Sequence, residues 1–396
     1  MNFRHRDIFL AATFVAAAIS APCAAETAPS APNRGLSVEQ GVLIRNGRPY
    51  EGIGVNYFNA FGRVLADPSD TSYRQGFAVL KEHRIPFARF AACGFWPSDW
   101  KLYQTDPKEY YRRMDGVIEA AEQNGVGLIP SLFWRWNTVA EISGEPYSAW
   151  GDVGSRTHAL MRRYTEEFVL RYRNSAAIWG WEFANEMSLG VELPNAKSLI
   201  AARKAIPHLG VPPPTEADIV SAKDMVTALS EFGKTVRRLD PHRIIISGNS
   251  APRAGAWHNA AGKPWQPDTR QQFSEILIRD NPDPLSVLCV HWYPGHEKRF
   301  PDEKAGGMAD VAKVMMDAAR QSGKPLFIGE FGYEHGQDGF AELLNVIRKS
   351  RVPLSALWVF DLRQQENNWS VTISNERAYM LRAISEANIS LSNEKR

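Results

Sequence analysis

The chain has 396 residues, 44% hydrophobic and 23% charged, enough to bury a large core without disulfide staples. Lys and Arg number 46 against 44 Asp and Glu, a net charge of +2 that offers no cationic field for nucleic acid. This composition excludes collagen-like, coiled-coil and disordered chains, and its unusual feature is 12 Trp and 12 Tyr, side chains that fill cores and also stack on sugar rings.

Arg4, His5 and Arg6 precede an apolar stretch from Ile8 to Ile19, and Cys23-Ala24-Ala25 then supplies small residues. That pattern predicts a signal peptide over 1–25 and a mature domain over 26–396, exported to the periplasm or beyond the cell. Pro22 before Cys23 fits poorly with a lipid anchor. No other run approaches the roughly 18–20 apolar residues a membrane span requires, so no membrane association is expected after signal removal.

The hairpin-like Val42 to Gly47 leads into a first strand, Gly52 to Asn56. The periodicities then predict a helix over Ser72 to His83, a strand over Ile85 to Ala92, a helix over Lys108 to Gln123 and a strand over Val126 to Phe133. Arg156 to Arg173 reads as helix, Ala177 to Ala184 as strand, Ile219 to Leu239 as helix and Arg243 to Ser247 as strand. The helix Gln271 to Ile278 precedes the strand Leu285 to His291, and the helix Asp310 to Arg320 precedes the strand Pro325 to Gly329. Phe340 to Lys349, Leu354 to Phe360 and Ala378 to Glu386 complete the series as helix, strand and helix.

Eight short, continuously apolar strands alternating with helices call for a buried parallel sheet. In one domain of this length they fit an α/β fold of the (β/α)₈ TIM barrel type, with active residues at the C-terminal strand ends. The stretches Met187 to Pro214 and Ala251 to Arg270 are expected as long loops on that catalytic face. No GxGxxG follows the first strand and no P-loop is present, so nucleotide sites lose support. No CxxC, HExxH or Cys/His cluster occurs, so no metal or other cofactor is expected. Cys93 and Cys289 each lie within an apolar run and are expected as buried free thiols.

The strand ends carry Arg89, Asn185-Glu186, His291-Trp292-Tyr293, Glu330 and Trp358. A strand-end glutamate alone is more often a loop salt bridge than a catalyst. Two at one barrel mouth, beside His-x-Tyr and a tryptophan, are the pattern of glycosidic bond cleavage, where one carboxyl group donates a proton and the other attacks. Arg89 and Tyr293 are group types that keep an attacking carboxylate charged. Glu330 is expected as the nucleophile and Glu186 as a general acid with a raised pKa.

Trp181-Glu182-Phe183-Ala184-Asn185-Glu186 and Ile328-Gly329-Glu330-Phe331-Gly332 resemble the acid/base and nucleophile strands of glycoside hydrolase family 5, the cellulase and β-mannanase family. Arg89, His291-x-Tyr293 and Trp358 resemble the family's strand-two arginine, strand-six pair and strand-eight sugar platform, and the likeness runs from about residue 40 to 385. It implies hydrolysis of a β-1,4-linked polysaccharide or oligosaccharide with retained configuration. Two departures stand out: Phe133 occupies or adjoins the place of a usual strand-three histidine, and Met187 replaces the proline after the acid/base. Ser131-Leu132 followed by Trp136 leans towards the mannanase branch.

Trp134 and Trp136 are added as substrate-stacking candidates, with Trp257 and Trp265 as further loop aromatics. Transglycosylation and a non-hydrolytic carbohydrate-binding barrel are the competing readings. Two intact glutamates argue against the latter, and the absence of strand-end lysines argues against a Schiff-base lyase. Oligomeric state leaves no trace in the sequence.

Overall fold

The computed structural model describes residues 35–295, 299–302, 307–333 and 336–393, so the expected signal peptide over 1–25 lies outside the described residues. The chain begins with three short antiparallel strands, β1 (Leu36–Glu39), β2 (Val42–Arg45) and β3 (Arg48–Pro49). Gln40-Gly41 and Asn46-Gly47, all at positive φ, make the two tight turns between them.

Eight parallel strands follow: β4 (Gly52–Asn56), β5 (Phe87–Ala91), β6 (Gly127–Phe133), β7 (Gly180–Ala184), β8 (Ile244–Ile246), β9 (Leu288–Trp292), β10 (Leu326–Phe331) and β11 (Leu354–Leu357). Their spatial order is β8-β7-β6-β5-β4-β11-β10-β9, so consecutive strands are neighbours and β4 lies between β5 and β11. The end strands β8 and β9 are drawn together by Ser286, whose N–H donates to Ile245 O at 3.0 Å and whose hydroxyl accepts the Ile245 N–H at 2.7 Å. This is the expected barrel, with every strand residue from β4 to β11 buried.

The helices form where local signals start and stop them. Asp106 caps Pro107–Asn124, which Gly125 ends in the left-handed conformation; Ser221 and Thr269 make capping boxes for Ala222–Leu239 and Arg270–Arg279. Ala60–Ala66, between β4 and the expected first helix, is helical too. The two expected long loops are not structureless. Met187–Gly190, Ala196–Ala202, Pro207–Leu209 and Ala256–Ala260 are short helical turns within them, and a further turn, Glu216–Asp218, follows the first. Side-chain carboxylates organise them: Asp218 accepts from the N–H of Thr215 and Tyr147, and Asp268 from the N–H of Trp257.

The core has two parts. Outward-facing strand residues pack on the helices, while Phe87, Ile129, Trp179, Ile244, Ile246, Cys289 and Phe327 fill the barrel's N-terminal end. Leu36 and Leu43 of the leading sheet join that inner cluster, and Arg45 lies 3.9 Å over the Trp179 ring. The lower barrel is therefore packed with apolar side chains. The polar inward residues sit above it, towards the C-terminal ends.

Candidate active site

Alternation along β5 and β7 places Phe87 and Arg89, and Gly180 and Glu182, on the inner face of the barrel. The Arg89 guanidinium is fully buried and binds four side chains. Its Nε–H is shared between Glu182 Oε1 at 2.9 Å and Oε2 at 2.8 Å; Nη1 donates to Asn56 Oδ1 at 2.9 Å and Glu330 Oε1 at 2.8 Å, and Nη2 to Asn185 Oδ1 at 2.8 Å. The Trp134 ring covers it, 4.2 Å from the guanidinium carbon. Burial works against this charge, but Glu182 and then Glu330 overcome that and hold it ionised.

Glu330 reaches the inner face through an irregularity. Strict alternation from the inward Phe327 would turn Glu330 outward, but the register of β10 slips between Ile328 and Glu330, pairing Glu330 with His291 of β9. This bulge reverses the parity, so Glu330 points in and Phe331 packs outward on Phe340. Tyr293 completes the carboxylate's environment, its hydroxyl donating to Glu330 Oε2 at 2.7 Å. Tyr293 is 39% exposed to the cleft, while burial and the Glu330 charge push its hydroxyl well above its ordinary pKa.

Glu186 stands at a sharp turn after β7, with φ 53° and ψ 33° in the left-handed region, a conformation costly for a non-glycine residue and concentrated at functional sites. Its N–H donates to Gly248 O at 2.8 Å and the preceding Asn185 N–H to Trp134 O at 3.0 Å, so the strands on both sides hold the turn. Gly248 itself has φ +73°, and a Cβ there would lie 1.8 Å from Ala184 O, so only glycine fits beside the turn. Oε1 of Glu186 is 3.0 Å from His291 Nδ1, which is also 3.6 Å from Glu330 Oε1. Glu186, His291 and Glu330 each place a donor atom within 4.8 Å of the others. Such a trio could in principle receive a cation, but its oxygens already face the Arg89 guanidinium, the Tyr293 hydroxyl and the His291 ring.

The expected raised pKa of Glu186 is not what this environment produces. Burial raises it, but the hydrogen bond and charge of His291, the charge of Arg89 and the Ser250 hydroxyl outweigh burial, and the net shift is downward.

A cleft of about 1020 Å³ opens over these residues. Its lining includes Asn185, Glu186, Tyr293, Glu330, Trp134 and Trp358, with Phe58, Gln365 and Trp369 added from the loops. Trp358, half-buried, donates its Nε1–H to Gln365 Oε1 at 2.8 Å, and its ring lies 6.0 Å from Trp134 at 30°. Phe58 packs against both rings, completing an aromatic floor beside the carboxylates. Phe133 is not beside the site: it is buried in the outer layer against Tyr164, Phe183 and Phe232, and Trp134 takes the inward place. Trp136 does not line the cleft; it packs on Tyr147, 5.6 Å between centroids. Trp257 bonds Glu275, and Trp265, 54% exposed, borders a separate hollow with Arg253.

Asn56 and Glu182 were not among the expected site residues. Both carried a signal: a polar residue ending the first strand, and a carboxylate four residues before Glu186 on the same face of an otherwise apolar strand. The Met187 side chain is buried in the outer core cluster.

The family model described as Cellulase (glycosyl hydrolase family 5) matches residues 50–369. Mannan endo-1,4-beta-mannosidase A of Podospora anserina is 25% identical over 236 residues, covering 56% of this chain and 51% of that protein. Mannan endo-1,4-beta-mannosidase F of Aspergillus fumigatus is 32% identical over 81 residues, 19% of this chain and 18% of that protein. The chain thus spans about half the length of the first relative and under a fifth of the second. The crystal structure of the endo-1,4-beta-mannanase from Rhizomucor miehei superposes with a TM-score of 0.64 at 14% identity, covering 90% of this chain and 99% of that one, a likeness of fold alone.

Proposed function

The chain belongs to the cellulase family, glycosyl hydrolase family 5, and from that premise we propose that it is an exported, retaining β-glycoside hydrolase acting on a β-1,4-linked, mannan-type polysaccharide. One observation carries the chemistry: an oxygen of Glu186 and one of Glu330 lie within 4.8 Å of each other at the barrel mouth. Retaining enzymes hold their carboxyl groups about 5–5.5 Å apart, whereas the inverting arrangement leaves about 6.5–9.5 Å for a water.

In the first step a Glu330 oxygen bonds to the anomeric carbon, the glycosidic C–O bond breaks, and the Glu186 proton passes to the leaving oxygen. In the second, ionised Glu186 takes a proton from water, whose oxygen attacks the same carbon and releases Glu330. The lowered pKa of Glu186 suits the second step, where it is a base. The first step draws on its protonated fraction. Arg89 and Tyr293 fix the Glu330 carboxylate by one bond to each oxygen, and Trp358 with Trp134 supplies the apolar faces on which a sugar ring stacks.

The names of the relatives and the Ser131-Leu132 and Trp136 pattern favour mannan over glucan. Export rests on the charged, apolar and small-residue sequence of 1–25. The test is reducing-sugar release from β-mannan, glucomannan, β-glucan, cellulose, xylan and chitosan, with the anomeric configuration of the first product followed by NMR. Release from mannan and glucomannan with retention is expected. Inverted product overturns the mechanism, and preference for another polymer overturns the substrate.

A further inference from the structure

Glu182 lies below Glu186 in the barrel interior, and neither its side chain nor that of Arg89 reaches solvent. Both of its oxygens accept from the Arg89 Nε–H. Arg89 thus carries two carboxylates on opposite edges of one guanidinium, Glu182 at Nε and Glu330 at Nη1. Among the described residues, the remaining hydrogen-bonding and ring contacts, Asn56, Asn185 and Trp134, are uncharged. We infer that Glu182 is the standing counter-ion of Arg89, a positioning residue that keeps the guanidinium compensated while Glu330 is esterified to the sugar.

The basis is the charge balance of the reaction proposed above, on which the inference rests. In the free enzyme Arg89 bears +1 and the two carboxylates −1 each. When Glu330 bonds to the anomeric carbon and the leaving oxygen departs with the Glu186 proton, the nucleophile becomes a neutral ester. Arg89 and Glu182 then remain as a neutral pair. Glu186, ionised once its proton has left, acts on Arg89 through space and shares no hydrogen bond with it. Without Glu182, each turnover would therefore leave a fully buried guanidinium that cannot deprotonate with no hydrogen-bonded counter-ion, and a poorly compensated buried charge is unfavourable. Glu182 therefore stabilises the glycosyl-enzyme relative to the free enzyme. Esterification is easier with it, and hydrolysis of the ester is no faster for its presence. A residue that merely holds the barrel together has no such asymmetry.

The test uses the full-length enzyme and an activated 2-deoxy-2-fluoro-β-mannoside, which forms a long-lived glycosyl-enzyme. The readout is the ratio of the reactivation rate to the inactivation rate. Glu182→Gln keeps the shape and an acceptor for Nε–H but removes the charge; the ratio should rise by about tenfold or more, because inactivation slows and reactivation does not. Glu182→Asp keeps the charge one methylene further away, so the ratio should rise by only about threefold. If Glu182→Gln does not fold, the Asp variant alone decides. Equal slowing of both rates, or an unchanged ratio, overturns the inference. A wild-type enzyme that forms no covalent adduct overturns instead the double-displacement reading on which it depends, so the two failures are distinguishable.

Discussion

His291 Nδ1 lies 3.0 Å from Glu186 Oε1, and this contact is the main reason the Glu186 carboxyl titrates below its ordinary value although burial acts in the opposite direction. The catalytically useful acid form is lost as pH rises through that lowered value, so activity on unactivated substrates should have its optimum on the acidic side. Replacing His291 by Ala removes both the donor and the charge and leaves burial opposed only by Arg89 and Ser250. The basic limb of the kcat/KM profile should then move to higher pH, with a lower maximum. An unmoved or acid-shifted limb would count against this coupling. For folding the sign is that of any depressed carboxylate: Glu186 contributes stability above the unfolded value of about 4.3, and that stability is lost as pH falls through the folded value.

The two glutamates should fail in different ways. Glu330→Ala should lower turnover at least about 10⁴-fold, and added azide should restore a product of inverted configuration. Glu186→Ala should still form the glycosyl-enzyme from substrates with good leaving groups, which need little acid assistance, and azide should there give a product of retained configuration. Product analysis by NMR checks both; near-wild-type hydrolysis by either variant would refute the assignment.

Trp358 and Trp136 offer a paired comparison. Trp358 is half-buried on the cleft floor, with Phe58 and Trp134 as ring neighbours, so Trp358→Ala should reduce kcat/KM by about tenfold or more with only a small change in thermal midpoint. Trp136 packs on Tyr147 away from the cleft. Trp136→Ala should cost stability, about 1–3 kcal/mol for a partly buried aromatic, while leaving KM close to wild type. Reversal of this pattern would exchange their roles.

Cys93 and Cys289 are both buried free thiols. Burial pushes Cys93 up to about 12 and raises Cys289 as well, so little thiolate exists at neutral pH. Thiol titration of residues 26–396 should find no fast-reacting group in the native protein and two after denaturation without reductant. A denatured mass two units below the reduced value would show a disulfide and defeat this expectation.

Much of the molecule is legible locally. The eight strands announce themselves as short apolar runs, and the helices between them by caps such as Asp106, Ser221 and Thr269 and stops such as Gly125. The geometry also gathers Arg89, Asn185, Glu186, His291, Tyr293 and Glu330 into one cluster of hydrogen bonds and close charge contacts at the strand ends where the sequence places them. The turn Glu216–Asp218 carries a local capping box, Thr215 with Asp218, whereas the bond from the Tyr147 N–H to Asp218 that ties this segment to the barrel acts across the fold and leaves no local signature.

The order of strands and the chemical types at their ends were therefore determined by the sequence itself, because apolar periodicity, capping and turn residues act within a few positions of one another. Which way a strand-end side chain faces was decided only in three dimensions. A one-residue slip in β10 turns Glu330 inward against the parity of Phe327, and the end of β6 sends Phe133 out to Tyr164 while Trp134 covers Arg89. The charge balance was decided there too: Glu182 and Glu330, 148 residues apart in the chain, meet on one guanidinium, and His291 reverses the effect of burial on Glu186. Facing depends on register between strands, and a carboxyl group's proton affinity on the charges that surround it. Both are set by contacts between distant segments, which a linear pattern does not encode.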